Sequence, residues 1–177
     1  TNHHCGYDAI QTHSSVKNDY LRDGFWAMTK DEELTNEGLT ASFLISIKDV
    51  SEKILTALND SMSEGERNKK IREVSANIIK EEIGESHYNG KVKSFFGGND
   101  FYLLTYETFK DVRLVGAPPS SIGKFGGDTD NWMWPRHTGD FALFRVYCAP
   151  DGTPASYSSE NVPLKPKHHL PIQLDGV

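Results

Sequence analysis

Hydrophobic and polar positions change period along the chain, and the changes mark out its elements. From Tyr7 to Met28 the pattern is mixed, with a short helical stretch around residues 15–22 and the aromatic pair Phe25 and Trp26. Residues 39–47 are rich in β-branched and aromatic side chains and predict a strand. Asp49, Val50 and Ser51 then offer a helix start, and Ile54, Leu55 and Leu58 recur at helical spacing, so residues 51–59 predict a helix. Ser63 and Glu66 stand three residues apart, the spacing at which a hydroxyl and a carboxylate cap a helix start reciprocally. Ile71, Val74, Ile78, Ile79 and Ile83 follow at intervals of three or four, with Lys, Arg and Glu on the opposite side, and Gly84 is a stop. Residues 51–84 therefore predict a helical insertion that packs one face on a core and leaves the other in water, rather than a partner-binding element.

After Gly84 the period becomes two. Residues 91–96, 101–106 and 109–115 are strand-length alternating runs, separated by Gly97 to Asp100 and by Glu107 and Thr108. Gly116 to Pro119 ends the third, and a Gly-rich loop follows to Gly139. Residues 140–147 predict a strong strand. The Pro-rich tail predicts loop until residues 169–174, which suggest one more strand. No internal repeat or low-complexity tract is present. The fold class expected is mainly β with inserted helices (α+β).

Composition narrows the function. A length of 177 residues makes one domain, or one and part of another, with 37% hydrophobic and 25% charged residues. Lys and Arg number 19 against 25 Asp and Glu, a net charge of −6, which argues against a nucleic-acid or anionic-membrane partner. No run of about 18 apolar residues is present to form a transmembrane helix. Thr1 opens directly on a motif that normally follows a strand, and no signal peptide is visible, so the chain reads as a fragment or processed piece.

That motif is Thr1-Asn2-His3-His4-Cys5-Gly6. Histidine is the side chain best suited to take a proton from a serine near neutral pH. Alone, the run equally fits a buried or metal-binding His-His-Cys. Asp140 opens an apolar strand, where a carboxylate that orients a histidine belongs; alone, it fits a turn cap after Gly139 better. Together His4 and Asp140 follow the chain order His, Asp, Ser of chymotrypsin-like enzymes. Asp128 and Asp130 compete for the second role, but their Gly-rich loop explains them as turn residues. His3, His137, His168 and His169 show no zinc-type spacing, so neither metal nor cofactor is expected.

Residues 1–11, 20–27, 110–115 and, above all, the run Gly-Lys-Phe-Gly-Gly-Asp-Thr-Asp-Asn-Trp-Met-Trp-Pro-Arg-His-Thr-Gly-Asp from Gly123 to Asp140 resemble the bacterial serine dipeptidyl peptidases of the dipeptidyl-peptidase 7 and dipeptidyl-peptidase 11 family. The resemblance covers the whole chain but only the first part of such an enzyme. It implies a trypsin-like (chymotrypsin-like) double β-barrel, of which residues 1–177 hold the first barrel and the start of the second, with a helical cap elsewhere. It also implies an exopeptidase that releases dipeptides from the free N-terminus of peptides, in the periplasm, at the cell surface or secreted. Position by position, the resemblance matches His4 to the general base, Asp140 to the triad aspartate, and Asn131 and Trp132 to the residues that bind the substrate's free amine. An Asn carbonyl accepting from an ammonium over a Trp face suits that task. Trp134 is expected to pack, Arg136 to tie the loop down, and Cys5 to have its disulfide partner outside the chain.

One expected part is missing. Chymotrypsin-like enzymes place their serine in a Gly-Asn/Asp-Ser-Gly turn, and Ser14-Ser15, Ser120-Ser121 and Ser158-Ser159 lack it. The chain is thus expected to carry the triad His and Asp without the Ser, and to be inactive alone. Two rivals stay open: a glutamyl endopeptidase on the same fold, and a non-catalytic peptide-binding protein on a degenerate one. A homodimer of the intact enzyme stays open as well.

Overall fold

A computed structural model describes residues 1–130, 138–166, 168–171 and 174. In chain order, a 3₁₀ turn (His3–Gly6) leads into helices α1 (Tyr7–His13) and α2 (Tyr20–Asp23), strand β1 (Phe25–Trp26), a second 3₁₀ turn (Lys30–Glu32) and strand β2 (Leu34–Thr35). Strand β3 (Ala41–Asp49), helices α3 (Ser51–Leu55) and α4 (Glu64–Ile83), strand β4 (Asn89–Phe95), a third 3₁₀ turn (Phe96–Gly98) and strand β5 (Asp100–Phe109) come next. Strand β6 (Asp111–Ala117), helices α5 (Ser120–Gly123) and α6 (Gly127–Asp130), and strands β7 (Leu143–Cys148) and β8 (Val162–Pro163) complete the set. The protein is sheet-rich with a few helices and divides into two units, Thr1–Thr40 with Phe109–Val177, and Ala41–Thr108.

The first unit is built on β6. This strand pairs with β1 and β2 on one edge and with β7 on the other, and β8 extends β7, all antiparallel. Val112, Leu114 and Ala117 of β6 are buried, as are its polar Asp111 and Arg113. Leu114 and Ala117 pack with Ala9, Ile10, Phe25 and Ala142 into one core; each larger side chain buried this way stabilises by about 1.5–3 kcal/mol. The β6–β7 register shifts between Leu114 and Gly116. At Gly116 the indole of Trp26 lies across the strand: an added Cβ would stand 2.6 Å from its Cε3.

The second unit is a three-stranded sheet in the order β3-β5-β4 with α4 packed on it. Val50, Ile54, Ile78, Phe101 and Leu103 form its core. Helix α4 starts with the capping box: the Ser63 hydroxyl accepts from the Glu66 N–H, and the Glu66 carboxylate accepts from the Ser63 N–H at 2.9 Å. It stops at Gly84, whose φ of 57° lies in the left-handed region that glycine takes without strain.

Several boundaries differ from those the periodicity predicts. Helix α3 ends at Leu55, and Thr56 and Ala57 run on as a turn. Strand β5 runs unbroken through Glu107 and Thr108, where a break is expected, and the turn falls at Lys110 instead. Strand β7 begins at Leu143, so Asp140 stands in irregular backbone ahead of it. Residues 168–171 lie in no strand. Helix α1 escapes the pattern because only Ala9 and Ile10 of its seven residues are buried, too few to show a helical period. Among the described residues no helix is long and apolar enough to cross a membrane.

Candidate active site

Residues 1–3 and 140–142 are laced together by backbone. The Ala142 N–H donates to the Thr1 carbonyl at 2.8 Å, and the Thr1 nitrogen donates to the Ala142 carbonyl at 3.2 Å. Gly6 lets the 3₁₀ turn lie close on this region, since an added Cβ would stand 3.2 Å from Leu114 Cδ1 and 3.4 Å from Ala142 Cβ. Within this frame Asp140 receives two bonds on one oxygen. The His3 N–H donates to its Oδ1 at 2.8 Å, and His3 Nδ1 lies 2.5 Å from the same atom. A carboxylate can only accept, so Nδ1 carries the proton of this bond. Two groups 137 positions apart thus form a hydrogen-bonded histidine–carboxylate pair.

The two histidines stand in different surroundings. The His3 side chain is buried, and α5 seals it: its ring lies so close to Gly123 that a Cβ there would be 2.9 Å from Cγ. Its Nε2 is buried with no hydrogen-bond partner among the described residues. His4 is exposed, with its ring 4.2 Å from that of His3 and stacked at 6.4 Å on Tyr7. Burial pushes the Asp140 carboxyl up, but the bonds from His3 and the nearby rings of His3 and His4 outweigh it and hold the group below its ordinary range. Asp140 is therefore a carboxylate at neutral pH.

Of the residues singled out from the sequence, Asp140 is engaged by His3, while His4 makes no hydrogen bond to it among the described residues. His3, which the sequence reading set aside, is the residue the geometry adds; the doubling of the histidine was its only sequence signal. Asn131 and Trp132, together with Trp134, Arg136 and His137, lie outside the described residues. Asp128 and Asp130 fall in α6. His168 and His169 are exposed. No disulfide joins Cys5 to Cys148. Among the described residues no serine hydroxyl bonds to either histidine, and no group of three His, Cys, Asp or Glu side chains could hold a metal. What the arrangement can do chemically is hold an imidazole beside a half-buried carboxylate.

The family model described as "Peptidase S46" matches residues 1–177. An Asp/Glu-specific dipeptidyl-peptidase of Flavobacterium psychrophilum is 55% identical over 177 residues, which are 100% of this chain and 25% of the relative. Dipeptidyl-peptidase 7 of Porphyromonas gingivalis is 49% identical over 176 residues, 99% of this chain and 25% of the relative. The crystal structure of Porphyromonas endodontalis DPP11 in complex with substrate superposes with a TM-score of 0.87 at 46% identity, covering 100% of this chain and 27% of that one. The chain thus spans about a quarter of the length of the relatives it matches. With the whole chain matched and about half its residues shared, this protein belongs to the peptidase S46 family of serine peptidases.

Proposed function

We propose that the full-length protein is a serine-type dipeptidyl peptidase that removes dipeptides from the free N-terminus of peptides, and that this chain supplies the His and Asp of its catalytic triad. The observation that carries the reading is the meeting of the His3-His4 turn with Asp140 across the length of the chain. On this reading the chain holds the first barrel, and the start of the second, of a chymotrypsin-like domain. The names of the relatives support the reaction class. His4 acts as general base, taking the serine proton as the Ser O–C bond forms and giving it to the leaving amine as the C–N bond breaks; Asp140 stabilises the imidazolium between the two steps. Asn131 and Trp132 hold the substrate ammonium and so set the two-residue register. No serine here has flanking glycines, so the nucleophile and oxyanion hole belong to the rest of the protein and this chain by itself is inactive. The intact enzyme works in the periplasm, at the cell surface or outside the cell.

The test compares free and N-acetylated peptides with the full-length protein. Release of dipeptides from the free peptides alone, with Asp140→Asn lowering kcat by about 10⁴-fold, is expected. Equal cleavage of both peptides would make the protein an endopeptidase, and no cleavage of either would leave the non-catalytic binding protein. A panel with acidic and hydrophobic residues before the scissile bond reads its preference.

A further inference from the structure

The dipeptidyl-peptidase reading uses one histidine, yet two adjacent ones stand near Asp140 and only His3 bonds to it. We propose that His3 is a positioning residue, which fixes the Asp140 carboxylate with its backbone and ring N–H groups so that the exposed His4 can serve as base. The proposal rests on the serine-peptidase reading above.

Three observations carry it. A general base must present one ring nitrogen to the serine and the leaving group. His3 cannot, because Nε2 is buried and the ring is closed in by Gly123. His4 is the exposed neighbour, with its ring 4.2 Å away. Finally, both His3 donors fall on Oδ1. Two donors on one oxygen stop rotation of the carboxylate and fix the direction of Oδ2, which takes no bond from the described residues. Among the described residues the titratable groups that act on Asp140 are His3 and His4, so Oδ2 is the oxygen left for the His4 imidazole. His3 thereby does for the carboxylate what the carboxylate does for the base.

The experiment uses the full-length protein with His3→Ala, His3→Asn and His4→Ala, following kcat, KM and the pH dependence of kcat/KM on a free dipeptide-releasing substrate. An Asn amide can place an N–H near the site of Nδ1. We expect His4→Ala to lower kcat by about 10⁴-fold, as loss of a triad member does. His3→Ala should lower kcat by about 10²-fold, the scale of a small misplacement, with KM little changed. It should also move the acid limb to lower pH, because a loosened carboxylate stabilises the imidazolium less; a fall in the amount of folded enzyme would not move that limb. His3→Asn should recover most of the rate, and its profile carries the test if His3→Ala does not fold. The proposal is overturned if both His3 variants are as inactive as a triad deletion while His4→Ala keeps its rate, since His3 is then the base itself. It is also overturned if His3→Ala changes neither kcat nor the acid limb. Wild-type protein that releases dipeptides, with all three variants unimpaired, would sink the relay as a whole. Wild-type protein that releases none would instead sink the functional reading and take the proposal with it.

Discussion

Arg145 Nε donates to Glu33 Oε1 at 2.7 Å across 112 positions of chain. The Tyr147 hydroxyl, on the same face of β7, donates to the other oxygen at 2.8 Å. Because β2 and β7 flank β6, this three-residue link ties the segment ahead of β2 to the strand beyond its neighbour. The Glu33 side chain is only 2% exposed, whereas that of Arg145 is 41% exposed. The asymmetry sets the cost of breaking the link. Glu33→Leu leaves the buried Tyr147 hydroxyl without an acceptor and is expected to destabilise by about 1–3 kcal/mol. Arg145→Leu, whose partner keeps the Tyr147 bond, should cost less. Midpoints of urea unfolding for the two variants check the order.

Tyr147 makes a prediction at alkaline pH. Burial pushes its hydroxyl up and the bond to Glu33 adds to the effect, raising it to about 12 from the ordinary 10. The folded state therefore holds this proton more tightly than the unfolded chain. Its contribution to stability is complete below about pH 10 and is lost as pH rises through about 12. Phenolate absorbance should show one late-titrating tyrosine, and Glu33→Gln should bring it back toward the others. A tyrosine spectrum that titrates in one step near the ordinary value would contradict this.

Asp111 contributes a prediction on the acid side. Burial pushes its carboxyl up, but Arg113 and Asn161, which both bond to it, more than compensate and hold it low. A carboxylate held low favours the folded state at every pH above the unfolded value of about 3.9, and that favour fades as pH falls through the folded value. Stability should therefore drop below about pH 4, and Asp111→Asn should both lower stability at neutral pH and flatten the acid-side decline. Unfolding midpoints measured from pH 7 to pH 3 give both quantities.

How much of this was legible beforehand depends on the range of the interaction. Helix α4 could be read because its signals are local: Ser63 and Glu66 cap it, and its isoleucines repeat with its own period. The alternating runs of β4, β5 and β6 were legible for the same reason, with errors only at turns such as Lys110. Glu33 was not legible at all, because Arg145 and Tyr147, which bond to it, lie more than a hundred positions later and nothing in its own neighbourhood announces them. The partner of Asp140 was half legible. The chain order of histidine and aspartate suggested the pair, but which of two adjacent histidines turns inward is decided by the 3₁₀ turn and by α5, neither of which has a strong pattern.

The role of α5 can be tested through Gly123. Its last turn is tethered to the segment before Asp140: the Gly139 N–H donates to the Ile122 carbonyl at 3.1 Å, and the Thr138 hydroxyl lies 2.9 Å from the carbonyls of both Ile122 and Gly123. A methyl at Gly123 would meet His3 Cγ at 2.9 Å and Cδ2 at 3.1 Å. The ring has nowhere simple to go, since its Nδ1 edge is held by Asp140 and the His4 ring lies 4.2 Å away, so either the ring leaves the carboxylate or α5 moves and pulls residues 138–139 with it. Gly123→Ala is expected to destabilise by about 1–3 kcal/mol, the usual result of overpacking, and to lower kcat of the full-length enzyme by about 10²-fold through the displaced carboxylate. Gly65→Ala supplies the contrast. It lies in the first turn of α4, where an added Cβ meets nothing within 4 Å, so the same chemical change should raise stability by about 0.4–1 kcal/mol and leave activity alone. If the two substitutions behave alike, the ring of His3 is not confined by α5.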